Sequence, residues 1–175
     1  MSFVLPRGTV NGVEYYFFGK EAKGHDKGQL SAFGGKRDIV GPRGQRESYE
    51  HAAIREFHEE SRGAIGSKGH ITRIFQQGTR PYQQHGGTRM FIVDFGTRED
   101  PCARFRKGRG VKGEMSRIVR IRRTALQAAM TANATSITCT QADHKKKKTT
   151  YKKVTLPLRD FIKRLLLNAN AAGQL

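Results

Sequence analysis

The order of apolar and polar positions along the chain predicts interleaved strands and helices. Phe3 to Val10 and Val13 to Ala22 are rich in Val, Tyr and Phe and are separated by Asn11-Gly12. Asn and Gly accept the left-handed backbone of a two-residue turn, so this segment predicts a β-hairpin. Leu30 to Phe33 reads as a short strand ending at Gly34-Gly35. From Glu47 to about Arg62 there is neither Gly nor Pro, and Ala53, Ile54, Phe57 and Ser61 recur at spacings of three and four. That period predicts a helix with one face to bury. Strands are expected over His70 to Gln76 and Met90 to Phe95, with a loop between them that carries Gly78, Pro81, Gly86 and Gly87. A second loop, Gly96 to Gly113, precedes a strand marked by Ile118, Val119 and Ile121, and a short helix is expected from Thr124 to about Ala132. Thr135 to Thr140 fits a strand or a loop. Leu158 to Asn168 has apolar residues at 158, 161, 162, 165 and 166, an amphipathic helix with Pro157 in its first turn. The small polar residues after it are expected to fray.

Length and composition narrow this picture. A chain of 175 residues with 36% hydrophobic content fits one domain, 1–175, with one ordinary core. No apolar stretch approaches the roughly 20 residues needed to cross a bilayer. The segment Met1 to Arg7 lacks the pattern of a secretory signal, and Cys102 and Cys139 stand apart without metal-site or disulfide spacing. A soluble, cytoplasmic protein with reduced thiols is therefore expected, with no membrane partner. Charge is the unusual property: 33 Lys and Arg against 15 Asp and Glu give a formal +18. Such an excess favours a polyanionic partner, such as nucleic acid (RNA among them) or a multiply phosphorylated small molecule, without choosing between them. It is concentrated late in the chain, including Lys145-Lys146-Lys147-Lys148 and Lys152-Lys153. The basic segment near 145–153 reads either as a solvated or disordered face or as a surface that steers a polyanion. Tyr151 among the lysines and Phe105 among arginines are candidates to stack on bases.

The chemistry is carried by Arg55-Glu56-Phe57-His58-Glu59-Glu60. On a helix, Glu56, Glu59 and Glu60 project within an arc of about 100°. Like charges so placed repel unless a cation sits against them, and a hard divalent ion prefers such oxygen donors. A solvated acidic helix face is the plain alternative. The segment resembles the Nudix box, in which Gly is followed six residues later by Glu, and eight residues after that by Arg-Glu-hydrophobic-x-Glu-Glu. Gly41, Glu47, Arg55, Glu56, Phe57, Glu59 and Glu60 fall in that register. Two features depart from it. Arg62-Gly63 stands where the box closes with Gly and an aliphatic residue, and Gly34-Gly35-Lys36 lies six residues earlier than the family's usual Gly-Gly-Lys. The second departure points to a loop insertion before Glu47, with Gly35 in the structural role.

The resemblance implies an α/β fold, an α/β/α sandwich around a mixed β-sheet, with which the order of elements above is compatible. It implies a pyrophosphohydrolase that cleaves a phosphoanhydride bond in a nucleoside-diphosphate-linked or polyphosphorylated substrate, with capped RNA, dinucleoside polyphosphates and inositol pyrophosphates as candidates. Carried over residue by residue, Glu56, Glu59 and Glu60, together with Gly35, would hold Mg²⁺ or Mn²⁺. Arg55 would orient the carboxylates, and Glu56, Glu60 or Glu114 would accept the proton from water. Glu114 reads equally well as an ordinary loop acid. Lys36 and Arg37 are placed at the substrate phosphate, Glu47 at the loop or an outer metal, and His58 off the carboxylate face. The alternative is a non-catalytic module that keeps this fold and binds RNA or regulates.

Overall fold

A computed structural model describes residues 1–78, 81–97, 99–105, 115–145 and 148–175. Two long strands, β1 (Ser2–Val10) and β2 (Val13–Glu21), pair antiparallel up to Val10 and Val13. Asn11 and Gly12 both take positive φ, 49° and 77°, the two-residue turn that suits the twist of a hairpin. Seven strands follow: β3 (Leu30–Ser31), β4 (Phe33–Gly35), β5 (Tyr82–His85), β6 (Thr88–Thr97), β7 (Met115–Arg122), β8 (Ser136–Lys145) and β9 (Lys148–Pro157). The main order across the sheet is β5-β6-β1-β2-β7-β8-β9, with β3 on β2 and β4 on β1. The pairing of β1 with β6 is parallel and the others are antiparallel, so the sheet is mixed.

Side chains alternate across the two faces of the central strands, and each face carries its own core. One core gathers Phe3, Leu5, Tyr16 and Phe18 against Leu126 and Met130 of α4 (Arg123–Thr131) and Ile162, Leu165 and Leu166 of α5 (Asp160–Ala171). The other gathers Val4, Phe17 and Phe33 against Ile54 and Phe57 of α1 (Tyr49–Ser61) and Ile71 and Ile74 of α2 (Lys68–Gln76). A single turn, α3 (Pro101–Arg104), lies on this second side. Helices therefore cover both faces, and the architecture is an α/β/α sandwich around a mixed sheet. Cys102 and Cys139 are free and buried, and burial pushes both thiols up, Cys139 to about 11. Both stay protonated at neutral pH, so neither should react at an appreciable rate with a thiol reagent until the protein unfolds. No helix among the described residues is long and apolar enough to cross a membrane.

Several expectations need correcting. His70 to Gln76 belongs to a helix, not a strand. The Ser67 hydroxyl accepts the His70 N–H at 3.1 Å and caps its start, and Ile71, Ile74 and Phe75 face inward at helical spacing. The loop expected before Met90 contains β5, whose side chains are mostly exposed and so leave no alternating apolar signal. Of the lysine-rich stretch, residues 148–157 form the last strand of the sheet with most side chains exposed, a solvated face rather than a disordered one. The final residues do not fray. Leu175 is buried, and its carbonyl accepts hydrogen bonds from Arg123 and Gln127 at 3.0 and 2.6 Å. Phe105 is buried rather than open for base stacking, and the Arg62 guanidinium lies 5.2 Å from its ring centre.

Candidate active site

Helix α1 begins where Ser48 accepts the His51 N–H at 3.0 Å, two residues after the start expected from sequence. It ends at Arg62, which adopts the left-handed conformation with φ 52° and donates its N–H to the His58 carbonyl at 3.0 Å. Gly63 follows at φ 70°. The helix thus stops at Arg62, the position where a closing glycine was expected. A side chain in that conformation costs about 1–2 kcal/mol.

Strand β4 carries Gly34 and Gly35 under the helix; Gly34 has no room for a side chain against the backbone of β1, and Gly35 lies against the Glu56 carboxylate. A Cβ on Gly34 would come within 2.1 Å of the Ser2 carbonyl oxygen on β1. A Cβ on Gly35 would meet the Glu56 carboxylate at 2.6 Å. For Gly41, in register with the resemblance by count, the nearest atoms to an added Cβ belong to the Gln45 side chain. The close approach to the acidic helix belongs to Gly35. Gly35→Ala should therefore displace Glu56 without disturbing the opposite core. The expected outcome is a fold with near-native circular dichroism and a large loss of any metal-dependent activity.

Between Gly35 and Glu47 the chain closes on itself. The Asp38 N–H donates to Glu47 Oε1 at 2.9 Å, the Glu47 N–H donates to the Asp38 carbonyl at 2.9 Å, and Ile39 bridges Arg46. Arg55 ties this neck to the helix. Its Nη2 donates to Glu47 Oε1 at 2.5 Å and to the Lys36 carbonyl at 3.1 Å, and stands 3.2 Å from Asp38 Oδ2. Its Nη1 donates to Glu56 Oε1 at 2.9 Å and lies 3.9 Å from Glu59 Oε2. Asp38 was not singled out from sequence, where only its place in the polar segment before Arg46-Glu47 could have marked it.

The three acids differ in setting. Glu60 is 5% exposed and accepts the Gly34 N–H at 2.7 Å. The Glu56 side chain is 16% exposed, and that of Glu59 is 60% exposed. Glu56 and Glu59 flank one nitrogen of Arg55, while Glu56 and Glu60 meet successive residues of β4. Among the described residues no three His, Cys, Asp or Glu side chains are gathered into a ready cage for a metal. Lys36 is exposed beside them. Arg37 is engaged elsewhere, stacked 4.3 Å over the Tyr49 ring with its Nε donating to the Glu47 carbonyl at 2.6 Å. His58 is exposed, as expected. Glu114 lies outside the described residues. A cleft of about 440 Å³ opens between α1 and α2 beside Glu47 and Arg55, with Ile54 and Phe75 on its apolar side.

Burial alone would raise the Glu47 carboxyl, but the hydrogen bonds from Arg55 and from the Asp38 N–H outweigh it and hold the group below its ordinary value of 4.5. The Arg55 guanidinium is raised in turn, chiefly by its bond to Glu47. A carboxyl lowered on folding contributes stability above its unfolded pKa and loses it as pH falls through the folded pKa. Glu47→Gln should melt below wild type at neutral pH, and the two curves should converge in acid. Melting temperature followed as a function of pH checks this.

The chain matches no protein-family model, and no curated protein is similar to it in sequence.

Proposed function

We propose that the protein is a metal-dependent hydrolase of the Nudix type, cleaving a phosphoanhydride bond in a nucleoside-diphosphate-linked or polyphosphorylated substrate. The observation that carries this reading is the way one guanidinium, Arg55, joins the loop neck to Glu56 and Glu59 while β4 receives Glu56 and Glu60 through Gly35 and Gly34. A merely solvated acidic face has no need to bury one of its acids, Glu60, on the Gly34 N–H.

The donor set suits a hard cation, because carboxylates separated by one helical turn supply oxygens alone. A closed cage is not required, since Mg²⁺ usually keeps waters and takes one or two carboxylates together with substrate phosphates. Glu56, Glu59 and Glu60 would hold Mg²⁺ or Mn²⁺ beside Gly35. When bound, the ion would polarise the bridging phosphate and lower the pKa of the attacking water. Arg55 acts as a positioning residue: it holds Glu56 by a charge-assisted hydrogen bond and keeps the loop carbonyl of Lys36 near the same face. The exposed Lys36 ammonium would meet a substrate phosphate. Glu56 or Glu60 would take the proton from water, and Glu114 is a third candidate on sequence alone.

The decisive experiment incubates the purified chain with Mg²⁺ or Mn²⁺ and a panel of capped RNA, ADP-ribose, dinucleoside polyphosphates and inositol pyrophosphates. Cleavage of at least one substrate by wild type, lost in Glu60→Gln, is the expected result. A panel left intact in both metals would reject the proposal.

A further inference from the structure

The β8–β9 hairpin presents a cationic surface that the carboxylate site does not use. Strand β9 ends the sheet order, and Lys148, Tyr151, Lys152 and Lys153 on it are exposed. Asp143 is the one acid in the sequence from Ser136 to Pro157. Register places the charges on defined faces, because residues opposite each other in a ladder point the same way. Phe17 pairs with Arg120, Arg120 with Thr140, and Thr140 with Lys153. Phe17 packs in the core under α1, so this row, with Tyr151 two residues along, looks out on the α1 side of the sheet. The exposed Arg122, paired with Tyr15, shares that side. Lys148 and Lys152 emerge on the other side of the same edge strand.

The aromatic ring is held in place. The Arg120 guanidinium lies between Tyr15 and Tyr151, 4.8 and 4.9 Å from their ring centres, and is itself paired with Asp100. Tyr151 remains 46% exposed. A fixed, half-exposed ring amid cations is what a stacking platform for bases requires, whereas attraction to an anionic membrane requires charge alone.

We propose that this edge docks single-stranded nucleic acid, with Arg122, Lys148, Lys152 and Lys153 taking phosphates and Tyr151 stacking on a base. The surface needs neither a metal nor the carboxylates. Lysines on an edge strand also keep sheets from pairing with one another, and that role makes a different prediction: their loss would cause self-association and leave nucleic-acid binding unchanged.

The test uses the full chain in EDTA, so it stands apart from any hydrolysis. Fluorescence anisotropy would compare labelled uridine and thymidine homopolymers of about 20 nucleotides with a duplex of the same length and with phosphatidylserine vesicles. Single strands should bind more tightly than duplex or vesicles, and the two homopolymers separate RNA from DNA preference. The triple variant Lys148→Gln, Lys152→Gln, Lys153→Gln should bind at least about tenfold more weakly and flatten the logarithmic salt slope by about two, at roughly 0.7 per phosphate contact. Tyr151→Ala should weaken binding about fivefold or more with the slope unchanged, and Tyr151→Phe should restore it. Wild-type affinity in the triple variant, no effect of Tyr151→Ala, or equal binding of vesicles would overturn the proposal. Unchanged melting temperatures for these exposed positions would show that the variants are folded.

Discussion

Replacing Glu59 by Gln should lower magnesium-dependent turnover by more than about 100-fold, because loss of even an outer partner of a metal site costs about 10- to 100-fold and Glu59 would be a direct ligand. The same substitution should leave the fold intact. The Glu59 side chain is 60% exposed, and its nearest charged partner, Arg55, lies 3.9 Å away. Exposed changes of this kind usually stay within about 0.5 kcal/mol, or roughly 1–2 °C of melting temperature for a chain of this size. Glu60 gives a less clean result, because it is buried and holds the Gly34 N–H at 2.7 Å. Glu60→Gln removes a charge-assisted hydrogen bond as well as a donor, so activity and stability should fall together. Glu56→Gln lies between the two, since it also releases one arm of Arg55. Steady-state kinetics on whichever substrate the panel identifies, together with Mn²⁺ titration of each variant, measures the contrast. Unchanged kcat/KM in Glu59→Gln would remove this residue from the proposed metal site.

The carboxylate row was legible in the sequence because helix geometry is local. Spacings of three and four place Glu56, Glu59 and Glu60 together, and the same period places Phe57 and Ile54 on the face that α1 buries. The clamp was less so. Arg55 reaches Asp38 and the Lys36 carbonyl across a loop whose closure rests on reciprocal bonds between Asp38 and Glu47. Contacts that span such a loop leave no periodic trace. The same reasoning explains the elements that were missed. Strands β5 and β9 lie at the two ends of the sheet and expose most of their side chains, so Tyr82 to His85 and the lysines of β9 show no apolar alternation. Helix α2 was read as a strand because it is rich in β-branched residues, Ile71, Thr72 and Ile74. Burial of Ile71 and Ile74 and the packing of Phe75 decide for the helix. Arg62 shows the opposite case: a residue poorly suited to the left-handed conformation adopts it, in the place where a glycine was expected.

Phe57→Ala should destabilise the protein by about 3–5 kcal/mol, the usual cost of emptying a buried phenyl site. Phe57 is fully buried, meets Phe33 edge-on at 5.7 Å and 82°, and stacks on Phe95 at 5.2 Å and 20°. Its neighbours belong to β4 and β6, so no single side-chain rotation can fill the cavity left behind. Against a total stability of about 5–15 kcal/mol this is a large fraction, and the melting temperature should fall by roughly 6–20 °C. Phe57→Leu keeps most of the volume and should lose much less. Urea denaturation with an unchanged m-value would show that the native state, rather than the unfolded ensemble, carries the effect. The consequence should also reach the site. Phe33 is the residue that precedes Gly34-Gly35, so loosening the Phe33–Phe57 contact frees β4 from α1 just where Glu56 and Glu60 meet it. In conditions where Phe57→Ala is still folded, Mn²⁺ affinity should already be reduced, with Phe57→Leu close to wild type. Native affinity in a folded Phe57→Ala would show that the carboxylates hold their places without this packing.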